Sequence, residues 1–435
     1  MFYMFSMKKK SLTRLICTAL TFMSVLPFGV ARAGNTVKVT DDGPEPANAI
    51  SIYDYKGVVN GEDYNTLTLD LSEKYNNYSW YASNGSYGSW CYPRNYSLDA
   101  NNNQLVFENG TANFLWGGYT YEYSTSTPNK AAYSNTVTIK GGTVNGSIYG
   151  GNSNNNNYNN VVNIINGTVK GDIYGGCTEQ QNSNYLINRF QSHDNTVNIS
   201  GGTVMGNVFG GRTFVNSAKS NHVNITGGTI TGKIYGAYGY GGAGNTVTVD
   251  GGTVTNDIYG VLSTDEARES NVYFKSGTLN NGSIFGGYST TKRSIFNTVN
   301  ISGGTVMGDV FGGKSVLGPT YYNSVNISGG TVTGDVFGGE SVSDSTYNNS
   351  VNISGGTVTG KIYGGYDENG HSETDSRATY DNTITISGGT VSGSILGGYS
   401  DTLSAAGSTI TVKGSDTTVN SIIYGNWSNK DTGLL

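Results

Sequence analysis

One phrase of about 25 residues returns along most of this chain. Asn297–Gly313 reads NTVNISGGTVMGDVFGG, Asn323–Gly339 reads NSVNISGGTVTGDVFGG, and Asn349–Gly365 reads NSVNISGGTVTGKIYGG. The same frame opens at Asn135, Asn160, Asn195, Asn221, Asn245, Ser270 and Asn382; a degenerate copy begins at Asn103, and a last one runs from Ser408 to Asn426. The threonine after the glycines is a ruler: Thr143, Thr168, Thr203, Thr229, Thr253, Thr278, Thr305, Thr331, Thr357 and Thr390, at intervals of 25, 35, 26, 24, 25, 27, 26, 26 and 33. The long intervals hold polar inserts, Thr178–Asn188 and Glu368–Tyr380, so extra residues are accepted at one place in the unit. Such a period is the mark of a stacked repeat architecture.

Within the unit, apolar residues alternate. Val299 and Ile301 point one way and Thr298 and Asn300 the other, the pattern of a strand and not of a helix. Gly303-Gly304 allows a bend with positive φ. Val306 begins a second short strand, Gly308 permits another bend, Val310 lies in a third strand, and Gly312-Gly313 ends it. Three short strands cannot bury a face of their own, so each coil must stack on the one before it. The first inward file is then Val137, Val162, Val197, Val223, Val247, Val272, Val299, Val325, Val351 and Ile384. The second is Ile139, Ile164, Ile199, Ile225, Val249, Phe274, Ile301, Ile327, Ile353 and Ile386, and a third runs from Val144 to Val391. About a dozen coils at roughly 4.8 Å each give a rod of roughly 55–60 Å. The Asn that opens each unit can hydrogen-bond to its neighbours along the rod, as in amide ladders, or serve a turn conformation that Asn tolerates, and the two roles are compatible. Asn198 and Asn224 match the glycan-acceptor pattern but fall inside strands, which makes them structural.

Residues 34–100 lose the frame, although Val37 and Val39, Ile50 and Ile52, and Leu67, Leu69 and Leu71 still alternate. They are expected to form an irregular N-terminal cap over the first coil of a repeat domain spanning 101–426, with 427–435 a frayed tail. Residues 1–33 read as a signal peptide: Lys8, Lys9, Lys10 and Arg14, an apolar stretch from Leu15 to Val30, then Ala31-Arg32-Ala33. Cleavage would remove Cys17 and leave Cys91 and Cys177, which an oxidising compartment would allow to pair, although two Cys give no disulfide framework. The chain holds 65 Gly but 6 Pro, which excludes collagen-like and Pro-rich classes, and 13% charged residues at a net charge of -6, which offers no basic patch for nucleic acid.

Chemistry is sparse. His193, His222 and His371 lack companions at metal-ligand spacing, no phosphate-loop lysine follows the glycine pairs, and no cofactor is implied. The position before the third-strand apolar residue carries Asp172, Lys233, Asp257, Asp309, Asp335 and Lys361. Asp309 and Asp335 would stack one coil apart, a spacing that fits either a shared cation or an exposed ladder in which Lys361 pairs with Asp335. One repeat position is aromatic: Tyr149, Tyr174, Phe209, Tyr235, Tyr259, Phe285, Phe311, Phe337 and Tyr363. Strand alternation turns these rings outward. They form either an exposed ligand-binding stripe or a column in which the rings stack on each other or are covered by loops.

The frame NxVxIxGGTVxGxVYGG resembles the passenger domains of bacterial autotransporters and related adhesin-like surface proteins, over roughly residues 100–426. That resemblance implies a right-handed, single-stranded parallel β-helix exported to the cell surface. It implies adhesion or display toward host-surface glycans or proteins more often than catalysis. It also implies an outer-membrane translocator barrel, whose amphipathic strands do not follow Gly425 in this sequence. Two other functions fit the same fold: a carbohydrate-active enzyme, lyase or hydrolase, and a purely structural extracellular scaffold.

Overall fold

The computed structural model describes residues 36–40, 55–59, 66–70, 78–83, 100–120, 131–153, 155–178, 191–369 and 377–429. The expected signal peptide, Cys91 and His371 lie outside the described residues. The described chain is all-β, and its strands stack in parallel as a solenoid of about 11 turns.

The coil that starts at Thr298 shows the plan. Its strands are Thr298–Ile301, Thr305–Val306, Val310–Ser315 and Thr320–Tyr321, and the next coil repeats them at Ser324–Ile327, Thr331–Val332, Val336–Ser341 and Thr346–Tyr347. Val299 lies opposite Val325, Ile301 opposite Ile327, Val306 opposite Val332 and Val310 opposite Val336. The inward files are therefore one continuous dry interior, each expected residue of which is no more than 1% exposed. A fourth file of Ile148, Ile173, Val208, Ile234, Ile258, Ile284, Val310, Val336, Ile362 and Ile395 completes it. Burying each such side chain contributes about 1.5–3 kcal/mol.

Two features depart from the expected coil, the number of its strands and the end of the third. A fourth strand, two to four residues long, closes each turn and forms its own 12-stranded ladder. The first glycine pair bends as expected, through its second residue, Gly304 at φ 75. Gly308 lies at the expected second bend but does not take a positive φ there; a side chain would overlap the Gly282 backbone, so glycine also lets neighbouring coils approach. Nor does Gly312-Gly313 end its strand, which runs on to Ser315. A Cβ on Gly313 would collide with the Asn323 carboxamide, so this glycine makes room for the asparagine that opens the next coil. Where Val261 replaces that glycine, Ser270 replaces the asparagine.

That asparagine forms the expected ladder. Asn103 to Asn135, Asn135 to Asn160, Asn160 to Asn195, Asn195 to Asn221 and Asn221 to Asn245 are joined by Nδ2–H···Oδ1 bonds of 2.8–3.1 Å, all buried. Ser270 breaks the amide run, which resumes from Asn297 through Asn323 and Asn349 to Asn382. From Asn135 on, each ladder Oδ1 also accepts the backbone N–H of the ladder residue one coil before it, as Asn349 does for Asn323 at 3.0 Å and Asn297 for Ser270 at 3.1 Å. The left-handed residue of the turn is the one before the ladder, for example Asn102, Asn159 and Asn348, but also Glu269, Phe296 and Tyr322. Asn198 and Asn224 belong to a second, half-buried amide ladder on the outer face of the first strand, 2.9 Å apart.

The N-terminal region keeps the winding without the sequence frame. Thr36–Thr40 pairs in parallel with Thr66–Asp70, which pairs with Gln104–Asn109; Tyr55–Val59 pairs with Tyr78–Ser83, which pairs with Thr111–Thr120. What precedes residue 100 is thus, where described, irregularly spaced coils. At the other end the last strand, Ile423–Ser428, takes in two residues expected to belong to the frayed tail. The inserts sit where the sequence places them, between the third and fourth strands: after Ile173–Thr178 and after Ile362–Asp367.

Candidate functional site

The nine aromatic residues do face away from the Val/Ile interior, because each follows an inward residue of the third strand. They do not form an open stripe. From Tyr149 to Tyr363 the ring centroids are 4.7–5.0 Å apart and the planes within 10° of parallel, so every ring face inside the run is covered by the next coil's ring. From Tyr174 onward the residues are only 4–8% exposed. The reason is a second layer that alternation alone does not reveal. Three residues beyond each ring, the side chain folds back over the column: Tyr238, Tyr288 and Tyr366 meet ring edges at 5.2–6.2 Å, and Leu262 packs alongside. At the same position Arg212 donates to the Tyr174 hydroxyl at 2.9 Å and lies over the Phe209 ring, while Lys314 lies over Phe311 and ion-pairs with buried Glu340. Cys177 is buried in the same layer.

The charged row lies along the other flank of the column, two residues before each ring. Asp172 accepts the Asn207 N–H at 2.7 Å, Asp257 that of Ser283 at 3.0 Å, Asp309 that of Asp335 at 2.8 Å and Asp335 that of Lys361 at 2.7 Å. These carboxylates tie one coil's backbone to the next. Asp172 and Asp257 also accept the hydroxyls of Tyr174 and Tyr259 at 2.9 and 3.0 Å. Burial pushes the Asp335 carboxyl above its usual range, against the Lys361 N–H bond and with help from Asp309. Lys233 pairs with Asp257 of the following coil at 2.9 Å. Lys361 has no such partner, because the following coil offers Ser394, and it forms no ion pair among the described residues. Among the described residues no three His, Cys, Asp or Glu side chains come together as a metal site. His193 stacks on Tyr158 and bonds Asp194 at 2.7 Å.

The column is interrupted once within the repeats, at Leu396. This residue pairs in register with Tyr363 on one side and Tyr424 on the other. Beside it opens a groove of about 290 Å³ lined by Lys361, Tyr363, Tyr366, Ser394, Leu396, Tyr399, Tyr424 and Trp427. Tyr366 and Tyr399 stack at 4.9 Å, Tyr399 meets the Tyr363 ring edge-on at 6.0 Å, and Trp427, 37% exposed, stands edge-on to Tyr424 at 5.1 Å. Tyr399 donates its hydroxyl to Asp401 at 2.6 Å, and Asn429 Nδ2 donates to the same oxygen at 2.6 Å. Burial raises the hydroxyl pKa of Tyr363, Tyr366 and Tyr399, so these groove tyrosines are neutral hydrogen-bond donors at physiological pH. Of the groove residues only Lys361 and Tyr363 stood out in the sequence. The available signal was Leu396 itself, an aliphatic residue in an aromatic series.

Comparison with protein-family models, with curated proteins and with solved structures gave no match. The fold defines the class: a parallel β-solenoid with a dry aliphatic interior and an aromatic column outside it. No helix among the described residues is long and apolar enough to cross a membrane.

Proposed function

We propose that this chain is an exported cell-surface stalk of the adhesin type, similar to an autotransporter passenger domain, which presents a binding surface without turning over a substrate. The observation that carries this reading is the way the side chains with chemical potential are used. The row of aspartates is committed to backbone N–H groups of neighbouring coils, and the aromatic rings to one another. Both serve rod continuity, as a spacer that must hold a ligand-binding feature away from a surface requires. The leader-like residues 1–33 support export, and the repeat frame supports surface display. The ligands this reading calls for are host-surface glycans or proteins, and the export partner is an outer-membrane barrel. The test is saturable attachment of the labelled, purified chain to host cells and glycan surfaces. Attachment that never saturates overturns adhesion and leaves a scaffold, and release of uronic-acid products from a polysaccharide panel overturns the non-catalytic assignment.

A further inference from the structure

We infer that the groove beside Leu396 binds a pyranose ring that carries a carboxylate, with the ring against the aromatic walls and the carboxylate on the Lys361 ammonium. The inference rests on the adhesin reading and gives it a ligand class.

Four observations converge on that chemistry. Tyr363 and Tyr424 stand two strand spacings apart, about 9.6 Å, with an aliphatic side chain where every coil from Tyr149 to Tyr363 has a ring. The column therefore carries a smaller side chain at this level; Leu396 is itself buried, and the aromatic surface left open beside it is the kind against which the flat C–H faces of a sugar ring lie. The outer walls, Tyr399 and exposed Trp427, supply further aromatic surface with polar tips. The volume of about 290 Å³ is at the lower end of ligand sites, which run from roughly 300 to 1,000 Å³, and suits one ring better than a peptide.

Charge completes the assignment. Lys361 is the one cation among the groove residues, it is exposed, and the coil that should neutralise it has Ser394 where the coil after Lys233 has Asp257. The nearest carboxylates are already engaged: Asp335 by the Lys361 N–H at 2.7 Å, Asp401 by Tyr399 and Asn429 at 2.6 Å each. A ligand with an apolar face, a hydroxyl rim and one negative charge satisfies all of these groups together.

The experiment is calorimetric titration of the purified chain with an oligogalacturonate and with sialyllactose, against a neutral cello-oligosaccharide. The two acidic arms separate a polymer source from a host-surface source. Binding of at least one acidic sugar is expected, weakened about tenfold by Lys361→Gln and about tenfold by Trp427→Ala, since loss of a charge-assisted contact or a stacking surface is of that order. Leu396→Phe should abolish binding by restoring the missing ring, with an unchanged or higher melting temperature to show that the variant folds. No binding of either acidic sugar, equal affinity for the neutral one, or unchanged binding by Leu396→Phe overturns the inference. Cell attachment measured in parallel separates the two readings. Saturable attachment equal in wild type and Leu396→Phe would sink the groove and spare the adhesin; groove-dependent sugar binding without cell attachment would do the reverse.

Discussion

Asn323 donates its Nδ2–H to Oδ1 of Asn349 at 3.0 Å, and that same oxygen takes the Asn323 backbone N–H at 3.0 Å. One carboxamide thus fixes both the side chain and the main chain of the coil before it. Asn323 is also close to fully satisfied in the other direction, accepting from Asn297 N–H at 3.1 Å and Nδ2 at 3.0 Å.

Removing this group strands partners that water cannot reach. Asn323→Leu leaves the Asn297 N–H without its acceptor in the interior, and is expected to cost about 2–4 kcal/mol in urea denaturation. The outer ladder offers the control. Asn326 donates to Asn300 at 2.9 Å but is half-buried, so Asn326→Ala should cost less than about 1 kcal/mol. Equal losses would mean that burial does not set the strength of the ladders.

Gly334 tests the close approach of coils. Its Cβ would fall inside the backbone of Gly308, which cannot rotate away, although its φ is not left-handed. Gly334→Ala should therefore lower stability by about 1–3 kcal/mol and raise amide exchange at Asp335 and Val336.

Glu269 occupies the left-handed turn position at φ 54, where other coils use Asn102, Asn159 and Asn348. It is exposed. An ordinary L-residue there costs roughly 1–2 kcal/mol and asparagine less. Glu269→Asn is expected to raise stability by about 0.5–1 kcal/mol; a decrease in melting temperature would count against turn strain as the cause.

The aromatic column should make the rod sensitive to base. Burial, with help from neighbouring tyrosines and aspartates, raises Tyr235 from 10.0 to about 12 and moves Tyr174, Tyr259 and Tyr363 further in the same direction. Their folded pKa values lie above the unfolded ones, so the folded state holds more protons. Stability is fully present below pH 10 and falls as pH rises through 10 to about 12 and beyond. Phenolate absorbance followed with pH should show a class of tyrosines that ionises only with unfolding. Smooth titration of all of them near 10 would contradict the stacked, covered column.

The fold was legible because Val299, Ile301 and Val306 recur at fixed offsets, and a side-chain period of two leaves them one face to occupy. The asparagine ladder was one of the two readings that the recurring Asn at the start of each unit offered. The fourth strand was hidden: Thr320–Tyr321 or Ala267–Arg268 is two residues with no shared apolar signature, held by the stacking of complete turns. That the rings stack on each other was one of the two readings open in the sequence; what covers them was not legible. Outward in a strand reads as solvent-facing, and only the return of Tyr238, Tyr288 and Tyr366 over their neighbours makes a second apolar layer. The groove escaped because it depends on a ring that is missing at Leu396 and on Trp427, which the lost frame assigned to a tail.

The links from the third strand to the fourth are long after Thr120, Thr178 and Asp367, and short in most other turns. Lengthening a connection costs little once its ends are pinned. Coils in register bring all such corners onto one meridian of the rod. A change in length at these corners then has a single outlet, and the remaining flanks keep their shape.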